Sequence, residues 1–105
     1  LILGVTFKEN CPDIRNSKVA DVYNELKEFG LKVDTYDYQA DPKEVKEEYG
    51  IHLIDKITEK YDGILLAVSH SKFLELNIES LKKDSDSVVY DLKGFLPRNQ
   101  VNSRL

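Results

Sequence analysis

Gly4-Val5-Thr6-Phe7-Lys8-Glu9-Asn10-Cys11-Pro12-Asp13-Ile14-Arg15-Asn16-Ser17 reads as the end of a buried strand, a polar loop with two cations, and the start of a helix. Ile2 to Phe7 is the short apolar run expected of an interior parallel strand. Asn16 or Ser17 is placed to cap the helix by accepting a bond from its free N–H groups. In an open α/β sheet such a corner lies at the carboxyl edge of the strands, where ligands bind. Lys8 offers a compact charge and Arg15 a planar fork, a pair that suits a phosphate-bearing ligand better than a metal or a proton transfer.

Outward from that stretch, Val19, Val22, Tyr23, Leu26 and Phe29 fall at helical spacing and form one apolar stripe. Gly30 stands where a left-handed C-cap is wanted. Leu31, Val33 and Thr35 alternate with Lys32, Asp34 and Tyr36, so a second strand is expected to end at Asp37. Asp41-Pro42 is a helix start, with a capping carboxylate and proline in the first turn, and Gly50 is its stop. Ile51 to Leu53 is expected as a short edge strand and Ile54 to Lys60 as a helical turn or two. Gly63 to Val68 has no polar interruption and is the candidate central strand, buried on both faces. Ser71 to Leu76 and Ile78 to Lys83 read as helical, and Ser87 to Tyr90 as the last strand. Strands alternating with helices predict a Rossmann-like three-layer α/β sandwich with a mainly parallel five-stranded sheet and right-handed crossovers.

The 105 residues allow one domain with one core. The chain begins inside the first strand and has no methionine, so it is expected to be a domain cut from a longer protein. A formal net charge of −4 argues against a nucleic-acid module. No apolar run approaches the roughly 20 residues that span a bilayer. The single cysteine, Cys11, excludes an internal disulfide, and the two histidines, His52 and His70, lack metal-ligand spacing. A reducing cytoplasm is the expected compartment.

Lys93 follows the last strand and should emerge at the same edge as Lys8, because parallel strands bring their carboxyl ends together. His70, after the central strand, is placed to donate to a ligand, but the favoured reading leaves it exposed, with Ser71 capping the next helix. Asp37 ends strand two, where dinucleotide folds place a ribose-binding acid. The accompanying GxGxxG is missing, so Asp37 is read as a loop anchor. Cys11 invites a thiolate hypothesis because Lys8 and Arg15 are near in sequence. Its place before Pro12 in a loop favours packing.

GVTFKENCPDIRNSKVADV, a strand ending in VDTYD, YDGILLAVSHSKF and VVYDLKGFL occur here in that order. Together they resemble the C-terminal, UDP-binding domain of the UDP-glucose/GDP-mannose dehydrogenase family, from Ile2 to about Arg104. The DLKG and AVSHSKF blocks are most similar to the branch that oxidises UDP-N-acetylhexosamines, including the Vi-polysaccharide biosynthesis dehydrogenases. The resemblance implies oxidation of a sugar C6 alcohol to a carboxylate with reduction of NAD, for surface polysaccharide synthesis. It implies an N-terminal NAD-binding domain and a central helical region in the same chain, and a homo-oligomer. Phe7 and Lys8 would lie on the UDP-sugar, and Arg15 would reach across the domain cleft toward NAD. Lys93 stands where the glucose-specific branch has arginine in a DGR motif, keeping the charge and losing the fork. The family's catalytic cysteine lies in a glycine-rich motif absent here, and Cys11 does not match it, so no catalytic residue is expected in this chain.

Two other readings compete. A receiver-like signalling domain fits the size and architecture, although Lys8 stands where such a domain needs an acidic pair for Mg²⁺. A thiol enzyme would need Cys11 as nucleophile.

Overall fold

Glycine at position 4 decides how the chain leaves its first strand. Gly4 has φ +97°, and a Cβ there would lie 2.6 Å from Val68 Cβ and 2.9 Å from the Val68 backbone nitrogen. The apolar run therefore pairs as a strand over Ile2–Leu3 only (β1), two residues rather than the expected six. The computed structural model describes residues 1–104. After β1 come α1 (Val19–Glu28), β2 (Thr35–Tyr36), α2 (Pro42–Tyr49), β3 (Gly63–Leu66), a 3₁₀ turn (Ser71–Glu75), α3 (Ile78–Leu81), β4 (Val88–Asp91), a second 3₁₀ turn (Arg98–Gln100) and β5 (Ser103–Arg104).

The sheet has five strands in the order β2-β1-β3-β4-β5, and every pair is parallel. The winding reverses between β1 and β3, and such a reversal opens a crevice beyond the carboxyl ends of the two strands. Strand alternation divides the core between the two faces. Ile2 packs with Val19 and Ala20 of α1 and Val45 of α2. Leu3, Ile64, Leu66 and Val89 pack with Phe73 and Ile78 on the other side. This is the predicted Rossmann-like three-layer sandwich.

Local chemistry explains the helix ends. Asp41 accepts the Lys43 N–H at the start of α2, Pro42 occupies the first turn, and Gly50 closes the helix at φ +70°. Ser17 accepts the Val19 N–H at the entrance of α1 while donating to the Val5 carbonyl, which ties the helix start to the strand exit.

Several local expectations are corrected. Ile51 and Leu53 are buried as edge-strand residues would be, yet they make one bridge, Thr35↔Leu53, because β2 is only two residues long. The fifth strand is instead β5 at Ser103–Arg104. Residues 54–60 form no helix; the Ile54 N–H donates to the Thr35 carbonyl, which holds that segment's start extended. Phe29, the last member of the helical stripe, is 80% exposed, since α1 ends at Glu28. The central strand is closed on one face only: Ile64 and Leu66 are buried, whereas Leu65 is half-buried.

Candidate functional site

Buried carboxylates shape the loops at the carboxyl edge. Asp37 follows β2 and lies inside the protein. Its Oδ2 accepts the Val5 N–H at 2.7 Å, the Thr6 N–H at 3.3 Å and a bond from His70 Nε2 at 3.0 Å. Its Oδ1 accepts the Gln39 and Ala40 N–H groups at 2.7 and 3.2 Å. Burial pushes the Asp37 carboxyl up, but the bonds from His70, Val5 and Gln39 together hold it below the usual carboxylate value. The loop-anchoring reading of Asp37 is therefore right, and its ionised form is the one these donors require.

His70 corrects the sequence expectation. It is fully buried, not exposed, and Ser71 does not cap the following turn with its side chain. The Ser71 N–H donates instead to Asn10 Oδ1 at 2.8 Å. The ring packs edge-on against Tyr38 and beside Phe73, with centroids 5.4 and 5.3 Å away. Its Nδ1 accepts the Asn10 N–H at 2.9 Å, and its Nε2 lies 3.1 Å from Thr6 Oγ1.

The loop after β1 presents Phe7 and Lys8 to solvent, and the Phe7 side chain is an exposed large apolar group. The Phe7 N–H donates to the Asp13 carbonyl, closing the loop on itself. Arg15 is also exposed, and its Nε and Nη2 form a fork on the Asp13 carboxylate at 3.0 and 2.8 Å. That fork, with a weaker pull from Lys8, brings the Asp13 carboxyl down to about 2. The structure thus gathers Lys8 and Arg15 around Asp13. Cys11 is half-buried beside them.

Lys93 follows β4, is exposed, and donates its backbone N–H to Asp91 Oδ1. Asp91 is fully buried, and its Oδ2 accepts the Phe95 and Leu96 N–H groups at 2.6 and 2.7 Å. Lys8 and Lys93 leave strands that flank β3, so their loops stand on either side of the loop carrying His70. Sequence reasoning missed Thr6, Asn10 and Asp91 as loop formers. Asp91 had a legible signal, a carboxylate at a strand end like Asp37, whereas Asn10 shows itself only in the structure, by its left-handed φ of +55° and its bonds to the His70 loop.

A cavity of about 460 Å³ lies at the opposite, amino edge, lined by Leu26, Val33, Tyr61, Leu65 and Tyr90 among others. Its lining also includes Lys32, Asp34, Glu59, Lys60 and Asp62, so the candidate site is placed at the carboxyl edge by the rule that open parallel sheets bind ligands there. No cluster of His, Cys, Asp and Glu among the described residues has the geometry of a metal site. No helix among them is long and apolar enough to cross a membrane.

Comparison with known proteins agrees with this architecture. Residues 1–98 match the UDP-glucose/GDP-mannose dehydrogenase family, UDP binding domain. The chain is 46% identical over 109 residues to a UDP-N-acetyl-D-glucosamine 6-dehydrogenase of Salmonella typhi, with 100% of this chain and 25% of that protein covered. It is 42% identical over 108 residues to the enzyme of the same name from Pseudomonas aeruginosa, covering 100% of this chain and 26% of the relative. Among solved structures, the UDP-N-acetyl-mannosamine dehydrogenase Cap5O from S. aureus superposes with a TM-score of 0.72 at 21% identity. That likeness covers 98% of this chain and 24% of the other, and it shows the fold. The chain spans about a quarter of the length of the curated relatives it matches.

Proposed function

Because the chain belongs to the UDP-glucose/GDP-mannose dehydrogenase family, as its UDP binding domain, we propose that it holds the nucleotide sugar for a longer NAD-dependent 6-dehydrogenase. The reaction is oxidation of the C6 alcohol of a UDP-hexose or UDP-N-acetylhexosamine to the carboxylate, for surface polysaccharide synthesis. The similarity to two UDP-N-acetyl-D-glucosamine 6-dehydrogenases favours the N-acetylhexosamine. The family assignment replaces the receiver-like alternative.

One observation carries the site: an exposed aromatic and an exposed lysine, Phe7 and Lys8, sit side by side on the loop at the winding reversal. Lys8 pairs with the diphosphate and Phe7 packs on the nucleotide sugar, while Lys93 approaches from the loop after β4. A single ammonium at Lys93 makes a point contact where a guanidinium would make a paired one. The domain contributes no reacting group. Its binding energy, realised far from C6, fixes where the sugar lies relative to the rest of the enzyme.

The residues present do not make a dinucleotide cradle, since no glycine-rich turn opens α1 and the glycines are scattered at 4, 30, 50, 63 and 94. They fit an accessory contact instead, with Arg15 exposed at the edge and oriented by Asp13. NAD, bound by another part of the longer protein, supplies the hydride acceptor. The free, half-buried Cys11 fits a reducing compartment such as the cytoplasm.

The test is calorimetry of UDP binding to the complete enzyme. Lys8→Ala removes one charge-assisted bond and is expected to weaken UDP about 10- to 100-fold. Unchanged affinity would remove Lys8 from the site.

A further inference from the structure

We propose that His70 is the positioning residue of the Lys8 loop, fixing where the loop presents its lysine without touching the ligand. The inference rests on the reading of that loop as the nucleotide site and goes beyond it. His70 ends the segment that follows β3, and its ring bridges the loops after β1 and β2.

The protons of the cluster follow from its donors. The Asn10 N–H can only donate, so His70 Nδ1 carries a lone pair and the ring proton resides on Nε2. Asp37 Oδ2, 3.0 Å away, accepts that proton. Thr6 Oγ1 donates its own hydrogen to the Lys8 carbonyl at 2.9 Å, which leaves it an acceptor toward Nε2. Every donor then has an acceptor, and one arrangement satisfies the cluster.

The consequence falls on four residues. Thr6 holds the Lys8 carbonyl, and His70 holds the Asn10 N–H, so the Phe7–Asn10 turn is pinned at both ends. Asn10 returns the bond by accepting the Ser71 N–H, so the two loops clasp each other reciprocally. Asn10 sits at φ +55°, a conformation asparagine tolerates only at some cost, and the clasp compensates it. His70 also packs on Tyr38 and Phe73, so a role in packing alone is the competing explanation.

Two substitutions separate these roles in the complete enzyme. His70→Asn places an amide oxygen near the Nδ1 position and keeps an acceptor for the Asn10 N–H. His70→Gln keeps a donor toward Asp37 and removes that acceptor. Hydrogen exchange of the segment 5–17, measured without ligand, is expected to rise in His70→Gln and to stay near wild type in His70→Asn. UDP affinity is expected to fall roughly tenfold in His70→Gln, from one orphaned N–H, and to change little in His70→Asn. Equal loosening in both variants, or a protected loop in His70→Gln, overturns the proposal in favour of packing. Lys8→Ala, titrated in parallel, keeps the two ideas apart. If it leaves UDP binding intact the nucleotide reading fails, while the ligand-free exchange data still decide the role of His70.

Discussion

Asp37→Asn is the most informative single change, because the two oxygens of Asp37 serve separate sets of donors. Oδ2 takes Val5 N–H, Thr6 N–H and His70 Nε2, and Oδ1 takes Gln39 N–H and Ala40 N–H. An asparagine keeps one oxygen. In its better orientation the oxygen faces the first set, and an NH₂ group then points at the Gln39 and Ala40 donors. Two backbone N–H groups lose their acceptor, and at about 1–3 kcal/mol each the loss is about 2–6 kcal/mol. A domain of this size has about 5–15 kcal/mol in total. Urea unfolding at neutral pH is therefore expected to show a large drop in midpoint with an unchanged slope. The effect should also depend on pH in a definite direction. The native Asp37 carboxyl is held below its ordinary value. Between those two values the unfolded chain binds more protons, so wild-type stability rises with pH there. The contribution is complete above about pH 4 and is lost as the pH falls through the native value. The asparagine variant lacks this titration, and its deficit should narrow in acid. A loss under about 1 kcal/mol, or a deficit constant from pH 7 to below 3, would refute the anchoring argument.

Other expectations concern separate elements. Gly4→Ala combines a left-handed φ of +97° with a Cβ 2.9 Å from the Val68 backbone nitrogen, which cannot rotate aside. A loss of about 2–5 kcal/mol is expected by thermal or urea unfolding, from backbone strain plus overpacking. Thr35→Val should raise stability by about 1 kcal/mol, because the Thr35 hydroxyl is buried and unpartnered among the described residues. A lower melting temperature would show that the hydroxyl is satisfied after all. Asp91→Asn should loosen the loop that carries Lys93, seen as faster amide exchange at residues 93–96, since Asp91 accepts from Lys93, Phe95 and Leu96.

The sequence was most legible where a local rule acted alone. Asp41-Pro42 and Gly50 bound α2 as read, because a cap, a fixed φ and a left-handed stop need no tertiary partner. The sheet's alternation and its carboxyl edge were equally readable. Failures came where distant pairing decided the outcome. Ile51 and Leu53 carry a strand's apolar alternation, yet a strand needs a partner of matching length, and β2 offers two residues. Ser71 before a helical run reads as a cap, and that reading leaves His70 exposed. Only the fold brings Asp37, Thr6 and the Asn10 N–H, lying 33, 64 and 60 residues away, onto its ring. Lys8, Phe7, Arg15 and Lys93 were placed at the edge by strand order, a rule that survives errors in strand length.

The placement of charge at that edge bears on the anion site proposed for a domain of net charge −4. Asp37 and Asp91 close β2 and β4, and both carboxylates are buried with their oxygens directed at backbone N–H groups. Their oxygens are taken up by hydrogen bonds within the loops they fold. Lys8 and Lys93, on loops so folded, keep their side chains exposed. Asp13 of the first loop engages Arg15 rather than Lys8 in its close fork. A diphosphate at the proposed site would approach the exposed Lys8 and Lys93 rather than the buried carboxylates of Asp37 and Asp91. Because Asp37 and Asp91 face inward, the loops they fold offer exposed lysines rather than exposed acids at the carboxyl edge.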